Sequence, residues 1–73
     1  MKVFGGFESF KGKKRRVFIA TTSRKKATEI TKIPFCEIQE WFLFWGNYRE
    51  FKIALADPGV MFVEESTNNF RKL

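Results

Sequence analysis

The apolar positions of this chain fall into short runs with two different periods. Val3, Phe4, Phe7 and Phe10 are strand formers spread over residues 3–10. Gly5-Gly6 among them marks a bulge or the close approach of another group. Residues 15–22 form a second β-favouring run centred on Val17, Phe18 and Ile19. Lys11-Gly12-Lys13-Lys14 between the two is a turn signal, so the pair predicts a β-hairpin with a basic tip. Ser23 then suits a helix N-cap, because its hydroxyl can accept a backbone N–H of the first turn. The helix it opens, over residues 24–32, turns Ala27 and Ile30 inward and Arg24, Lys25 and Lys32 outward. Ile33-Pro34 breaks that helix, since the residue before proline avoids the α region.

Pro34 suits the first turn of a second helix, which the pattern carries to Trp45 and stops at Gly46. Asn47 is placed to cap a third helix, with Glu50 at the capping-box position and Tyr48, Phe51, Ala54 and Leu55 inward. Asp57-Pro58-Gly59 ends it in a turn. Residues 60–65 read as a third strand and residues 66–73 as a polar tail in which Phe70 tucks back. The expected order is ββαααβ. It describes a single domain over residues 1–73, a small two-layer α+β fold with an antiparallel sheet covered on one face by helices.

The second helix is the unusual element. At 100° per residue, Phe35, Ile38, Trp41, Phe42 and Trp45 share one broad face, Cys36 and Leu43 fall on another side, and Phe44 lies further round. A helix apolar on more than one side must be sandwiched or must meet another molecule. Trp41, Leu43 and Phe44 are therefore candidates for a hydrophobic interface, with a target protein or in a homodimer. The competing expectation is that the third strand and the tail cover Leu43 and Phe44. Cys36 reads as a small buried hydrophobe.

Composition sharpens this picture. A chain of 73 residues buries only about 60–65% of its unfolded surface, which excludes two domains and any deep, enclosed pocket. Ten Phe, two Trp and one Tyr are more rings than so small an interior encloses. Charge is uneven: residues 1–33 carry ten Lys/Arg against Glu8 and Glu29, whereas residues 34–73 carry four basic against six acidic side chains. The single Cys36 fits a reducing compartment. No apolar run approaches the ~18 residues of a membrane span and no signal-peptide core opens the chain, so a cytoplasmic location without a membrane partner is expected.

The sequence contains no His, which removes nucleophile–histidine pairs and histidine metal ligands. Cys36 alone makes no zinc site, and Gly5-Gly6 lacks the spacing of a phosphate loop. Glu37 and Glu40, one turn apart, are acid–base candidates on paper, but the solvated face of an amphipathic helix accounts for them better. No catalytic residue, metal or cofactor is expected. The cations say more. Lys11, Lys13, Lys14, Arg15 and Arg16 cluster at the hairpin tip, and Arg24, Lys25 and Lys26 oppose the helix dipole in the first turn of the first helix. An anion held there, either nucleic-acid phosphate or a partner's acidic patch, would compensate. Simple solubility and the blunting of strand edges are the ordinary alternative.

Three stretches resemble recurring segments of small proteins encoded by bacteriophages and prophages. They are Ile19-Ala20-Thr21-Thr22-Ser23-Arg24-Lys25-Lys26-Ala27, then Gly46-Asn47 with Glu50 and Ala54, and Pro58-Gly59-Val60-Met61-Phe62. The similarity spans residues 15–63 and rests on a strand end, a cap and a turn. The crowding of Phe and Trp into residues 35–45 departs from it. It implies the strand-to-helix and helix-to-Pro-Gly-to-strand order, and a host-directed context in which such proteins bind and disable bacterial machinery, defence systems included.

The leading expectation is thus a non-enzymatic binder of a host bacterial protein. It would be steered by Lys13, Lys14, Arg15, Arg16, Arg24, Lys25 and Lys26 and anchored by Trp41, Leu43 and Phe44. A sequence-tolerant nucleic-acid binder, with Phe10 or Phe18 as stacking surfaces, is the alternative. A homodimeric structural or assembly protein is a second alternative.

Overall fold

The computed structural model describes residues 1–10, 12–66 and 69–72. Strands β1 (Lys2–Phe10) and β2 (Lys13–Thr21) form the expected hairpin, in unbroken antiparallel register from Lys2↔Thr21 to Phe10↔Lys13. Helices α1 (Arg24–Thr31) and α2 (Phe35–Ile38) follow, then β3 (Phe42–Phe44), α3 (Arg49–Ala56), β4 (Phe62–Ser66) and β5 (Asn69–Lys72). The sheet is antiparallel throughout, in the order β3-β1-β2-β4-β5. The fold is α+β, with three helices and five strands among the described residues.

The sheet is covered on both faces, where the sequence suggested one. Strand residues alternate between faces, and both alternating sets are apolar. Phe4, Val17, Ile19 and Val63 pack with Ala27 of α1, Ile38 of α2 and Trp41. Val3, Phe18, Ala20 and Phe62 pack with Ala54 of α3, and Phe44, Phe51, Leu55 and Phe70 close that side. Runs such as Val17-Phe18-Ile19-Ala20, fully buried without interruption, are what a doubly covered strand requires. Phe18 is the hub of the α3 side, stacked on Phe62 at 5.3 Å and met edge-on by Phe70 at 5.0 Å and Phe44 at 6.4 Å. Phe70 therefore tucks back as expected, but from β5 rather than from an irregular tail.

Gly5 and Gly6 sit opposite Phe18 and Val17 in continuous register, so the pair marks close approaches and no bulge. A Cβ on Gly5 would fall 2.7 Å from Val17 O and against the Phe44 ring; one on Gly6 would lie 2.5 Å from Trp41 Cδ1. One aromatic ring thus lies over each glycine, on opposite faces of the sheet.

The largest departure from the sequence reading is the second helix, which ends at Ile38 after one turn. The chain turns at Gln39-Glu40, and Phe42–Phe44 becomes an edge strand paired with Val3–Gly5. Two smaller corrections follow α1 and α3. Ser23 caps α1, accepting from Lys26 N at 3.1 Å, but Ile30 is more than a third exposed because Ala27 alone fills the contact with the sheet. Tyr48 rather than Asn47 holds the N-cap position of α3, with no side-chain bond. Glu50 is not a capping acid but is drawn inward to an arginine.

Candidate binding surface

The seven cations singled out above separate into two kinds. Three arginines are occupied inside the fold. Arg16 lies 3.4 Å from Glu50 of α3 and 3.7 Å from Glu64 of β4, tying helix, β2 and β4 together where Glu50 is only 7% exposed. Arg15 Nη1 donates to Glu64 O (3.2 Å) and Glu65 O (2.9 Å), bridging β2 and β4 just past their paired residues. Arg24, expected to point outward, is half-buried: Nη2 donates to Trp41 O at 2.9 Å, and its guanidinium sits 4.8 Å from the centre of the Phe4 ring. That cation–π contact and hydrogen bond compensate for its place at a helix N-terminus.

The four lysines are exposed, and they do not converge. Lys13 and Lys14 stand at the hairpin tip, while Lys25 and Lys26 follow Thr21 at the far end of the same nine-residue strand, about 26 Å away at ~3.3 Å per residue. Lys11 lies outside the described residues, as do Thr67, Asn68 and Leu73 of the expected tail and the Phe10 side chain. Phe18, the other expected stacking ring, is fully buried.

The hydrophobic candidates are rearranged because residues 42–44 are strand. Trp41 is 4% exposed, its ring over Gly6 and its Nε1 donating to Glu8 Oε2 at 3.3 Å. Leu43 and Phe44 are half-buried, each packed on a different face of the sheet. The exposed rings around β3 are instead Phe42 (64%), Trp45 (65%) and Tyr48. With Leu43 and Phe44 they line a shallow apolar hollow along the β3 edge. Helical spacing had assigned Phe42 and Trp45 to the core face. The two-residue strand period puts Phe42 on the same face as Phe44, but opposite Gly5, where it stays exposed, and leaves Trp45 just beyond the strand. Cys36, expected buried, is exposed on α2.

A second concavity of about 390 Å³ adjoins the first, with Phe42 common to both. It follows the edge of β1 beyond the last residue that β3 covers. Glu8, Glu37, Glu40, Lys14, Phe7 and Trp41 line it. Partial burial, first, and then the hydrogen bond and like charge of Glu37 raise the Glu8 carboxyl above its ordinary value. The Trp41 N–H and Lys14 oppose that shift. Glu37 thus converges with Glu8, a residue sequence spacing could not associate with it, rather than with Glu40 alone. Among the described residues no group of three or more His, Cys, Asp or Glu is placed to hold a metal ion, and no helix is long and apolar enough to cross a membrane.

No known protein family, curated protein or solved structure matches this chain.

Proposed function

We propose that this chain is a non-enzymatic protein-binding module whose contact surface is the β3 edge with Phe42, Trp45 and Tyr48. The observation that carries the reading is the exposure of these three rings around one short edge strand. Large aromatics contribute most to protein interfaces per residue and, having few rotatable bonds, cost little side-chain entropy on binding. Their chain neighbours Leu43 and Phe44 are anchored in the two cores, so the patch is held in place before any partner arrives. The host-directed context implied by the phage and prophage resemblance supports a bacterial protein in the host cytoplasm as the partner, bound so as to inhibit it. The lysine pairs at the two ends of β2 would then steer approach rather than form the contact. Their separation is also what disfavours a nucleic-acid track, which needs phosphate contacts along one continuous face.

The test is capture by the tagged protein from bacterial lysate treated with nuclease, run beside the Phe42→Ser/Trp45→Ser variant. A discrete protein retained by the wild type and lost by the variant is the expected result. Capture that vanishes with nuclease, or that the double substitution leaves intact, would overturn the assignment of this surface.

A further inference from the structure

β3 pairs only with Val3–Gly5, so the remainder of the β1 edge, Gly6–Phe10, pairs with β2 on one side and with no strand among the described residues on the other. Alternate residues of that segment turn their N–H and C=O groups outward. Trp41 leaves the row of strands at the level of Gly6, where its ring covers the glycine, and this is what opens the edge. The two sides of the opening differ in chemistry. On the α1–α2 side stand the carboxylates of Glu8, Glu37 and Glu40 around the cleft. On the α3 side are Phe7, opposite Arg16, and Phe42, opposite Gly5, both largely exposed.

We propose that this edge accepts an extended cationic peptide segment as a sixth strand, with Lys or Arg side chains alternating with apolar ones. The proposal rests on the reading of the chain as a protein-binding module and names the chemistry of the segment it takes. A strand lying beside Gly6–Phe10 would send alternate side chains to opposite faces. One set meets the three carboxylates, where Lys14 is the one lining cation; the other meets the Phe7 and Phe42 rings. A second copy of this chain fits the edge poorly, because antiparallel pairing of two such edges brings Glu8, Glu37 and Glu40 toward their own equivalents. The overall positive charge acts weakly at contact range, since salt screens it within about 8 Å.

The probe is a fluorescent heptapeptide of alternating lysine and valine, titrated into the full chain and followed by anisotropy and by amide NMR shifts. Shifts are expected at Gly6–Phe10. Affinity is expected to fall about tenfold for a peptide of the same composition with its lysines grouped, and again for the wild-type probe on the Glu37→Gln/Glu40→Gln variant. N-methylation of alternate peptide amides, made in both registers, should abolish binding in one of them. Equal affinity for alternating and grouped peptides, or for methylated and unmethylated ones, overturns the proposal. So does a concentration-dependent dimer whose interface shifts fall at the same amides. If the peptide fails while capture still depends on Phe42 and Trp45, the strand-addition proposal falls and the aromatic surface stands; if the peptide binds and capture does not depend on those rings, the reverse holds.

Discussion

Gly5→Ala places one methyl group at the most constrained point of the sheet. The new Cβ would lie 2.7 Å from Val17 O and 2.9 Å from Phe18 Cβ, and hard against the Phe44 ring. The first two are parts of the central β2 strand, so relief must come from β3 and Phe44 moving outward. Alanine in a strand gains roughly 0.5–1 kcal/mol over glycine from chain entropy, while forcing a methylene into a packed core costs roughly 1–3 kcal/mol or more. With a backbone carbonyl in the way, a net loss of about 2–3 kcal/mol follows. A domain of this length has only about 4–11 kcal/mol in total, and the loss would lower Tm by roughly 10–20 °C. Urea unfolding followed by circular dichroism reads it directly. The mechanism is isolated by Phe44→Ala: in the double variant the ring is gone, so the two losses should fall short of adding by about 1 kcal/mol. Gly12→Ala at the hairpin tip is the control. Its φ of 78° disfavours alanine, but a Cβ there meets nothing within 4 Å, so a smaller loss of about 1 kcal/mol is expected. A Gly5→Ala protein within about 0.5 kcal/mol of wild type, or strict additivity with Phe44→Ala, would refute the close approach.

Arg16→Met leaves the Glu50 carboxylate nearly buried without its arginine, and should cost about 2–3 kcal/mol in urea unfolding; Arg16→Met/Glu50→Gln should recover about half of that. Arg24→Met removes the hydrogen bond to Trp41 O and the contact over Phe4, and should cost about 1–2 kcal/mol, with the loosening seen as faster amide exchange in residues 38–44. Phe42→Ser/Trp45→Ser should change stability by less than about 0.5 kcal/mol, because both rings are solvent-exposed, which makes any loss of partner capture interpretable. Glu8 titrates higher in the folded than in the unfolded chain, so its stabilising contribution is complete below its unfolded value and is lost as pH rises through its folded one. Glu8→Gln should therefore flatten the decline in stability above pH 4.5 while keeping an acceptor for Trp41 Nε1; a pH–stability curve identical to wild type would contradict the upward shift of the Glu8 carboxyl.

What the sequence disclosed, and what it hid, divides along the range of the interactions. The hairpin, the Ser23 cap and the Pro58-Gly59 turn are local: turn residues and a hydroxyl decide them within four or five positions, and all three are where the sequence placed them. Residues 39–45 are not decided locally. Phe42-Leu43-Phe44 is compatible with a helix period and with a strand period, and the choice is made by Gly5, which leaves a hollow for Phe44 beside β1. That information lies nearly forty residues away, and Gly5-Gly6 was its trace: two adjacent glycines in a strand meant two incoming rings, one for each face. The short turn at Gln39-Glu40 carries neither Gly nor Pro, so nothing there announced the end of α2. β5 was missed for a related reason. Asn69-Phe70-Arg71-Lys72 has one apolar residue, enough for an edge strand whose single ring reaches Phe18 and whose flanking cations find Glu65 at 2.8 Å and Asp57 at 2.6 Å.

The cations illustrate a further limit of composition. A first half so rich in Lys and Arg suggested a ligand, yet its three guanidinium groups are the ones the fold takes up, and among the described residues the ammonium groups are the ones left outside. Physical chemistry explains the division. A guanidinium is planar, offers several donors in fixed directions and is weakly hydrated, so it can bridge two carbonyls as Arg15 does or lie on a ring as Arg24 does. A lysine ammonium keeps its water and stays at the periphery. With the sheet covered on both faces, the surfaces left for recognition are the rims, and at the β1–β3 rim the exposed groups are mainly aromatic rings, carboxylates and outward backbone, with Lys14 the one cation lining the cleft. Substitution of Lys13 by glutamine should accordingly slow association with a protein partner at low salt and leave the dissociation rate within about twofold, whereas Phe42→Ser should raise the dissociation rate tenfold or more. Surface-plasmon kinetics at two salt concentrations separate these effects, and a lysine variant that dissociates as fast as the Phe42 variant would return the binding site to the basic hairpin.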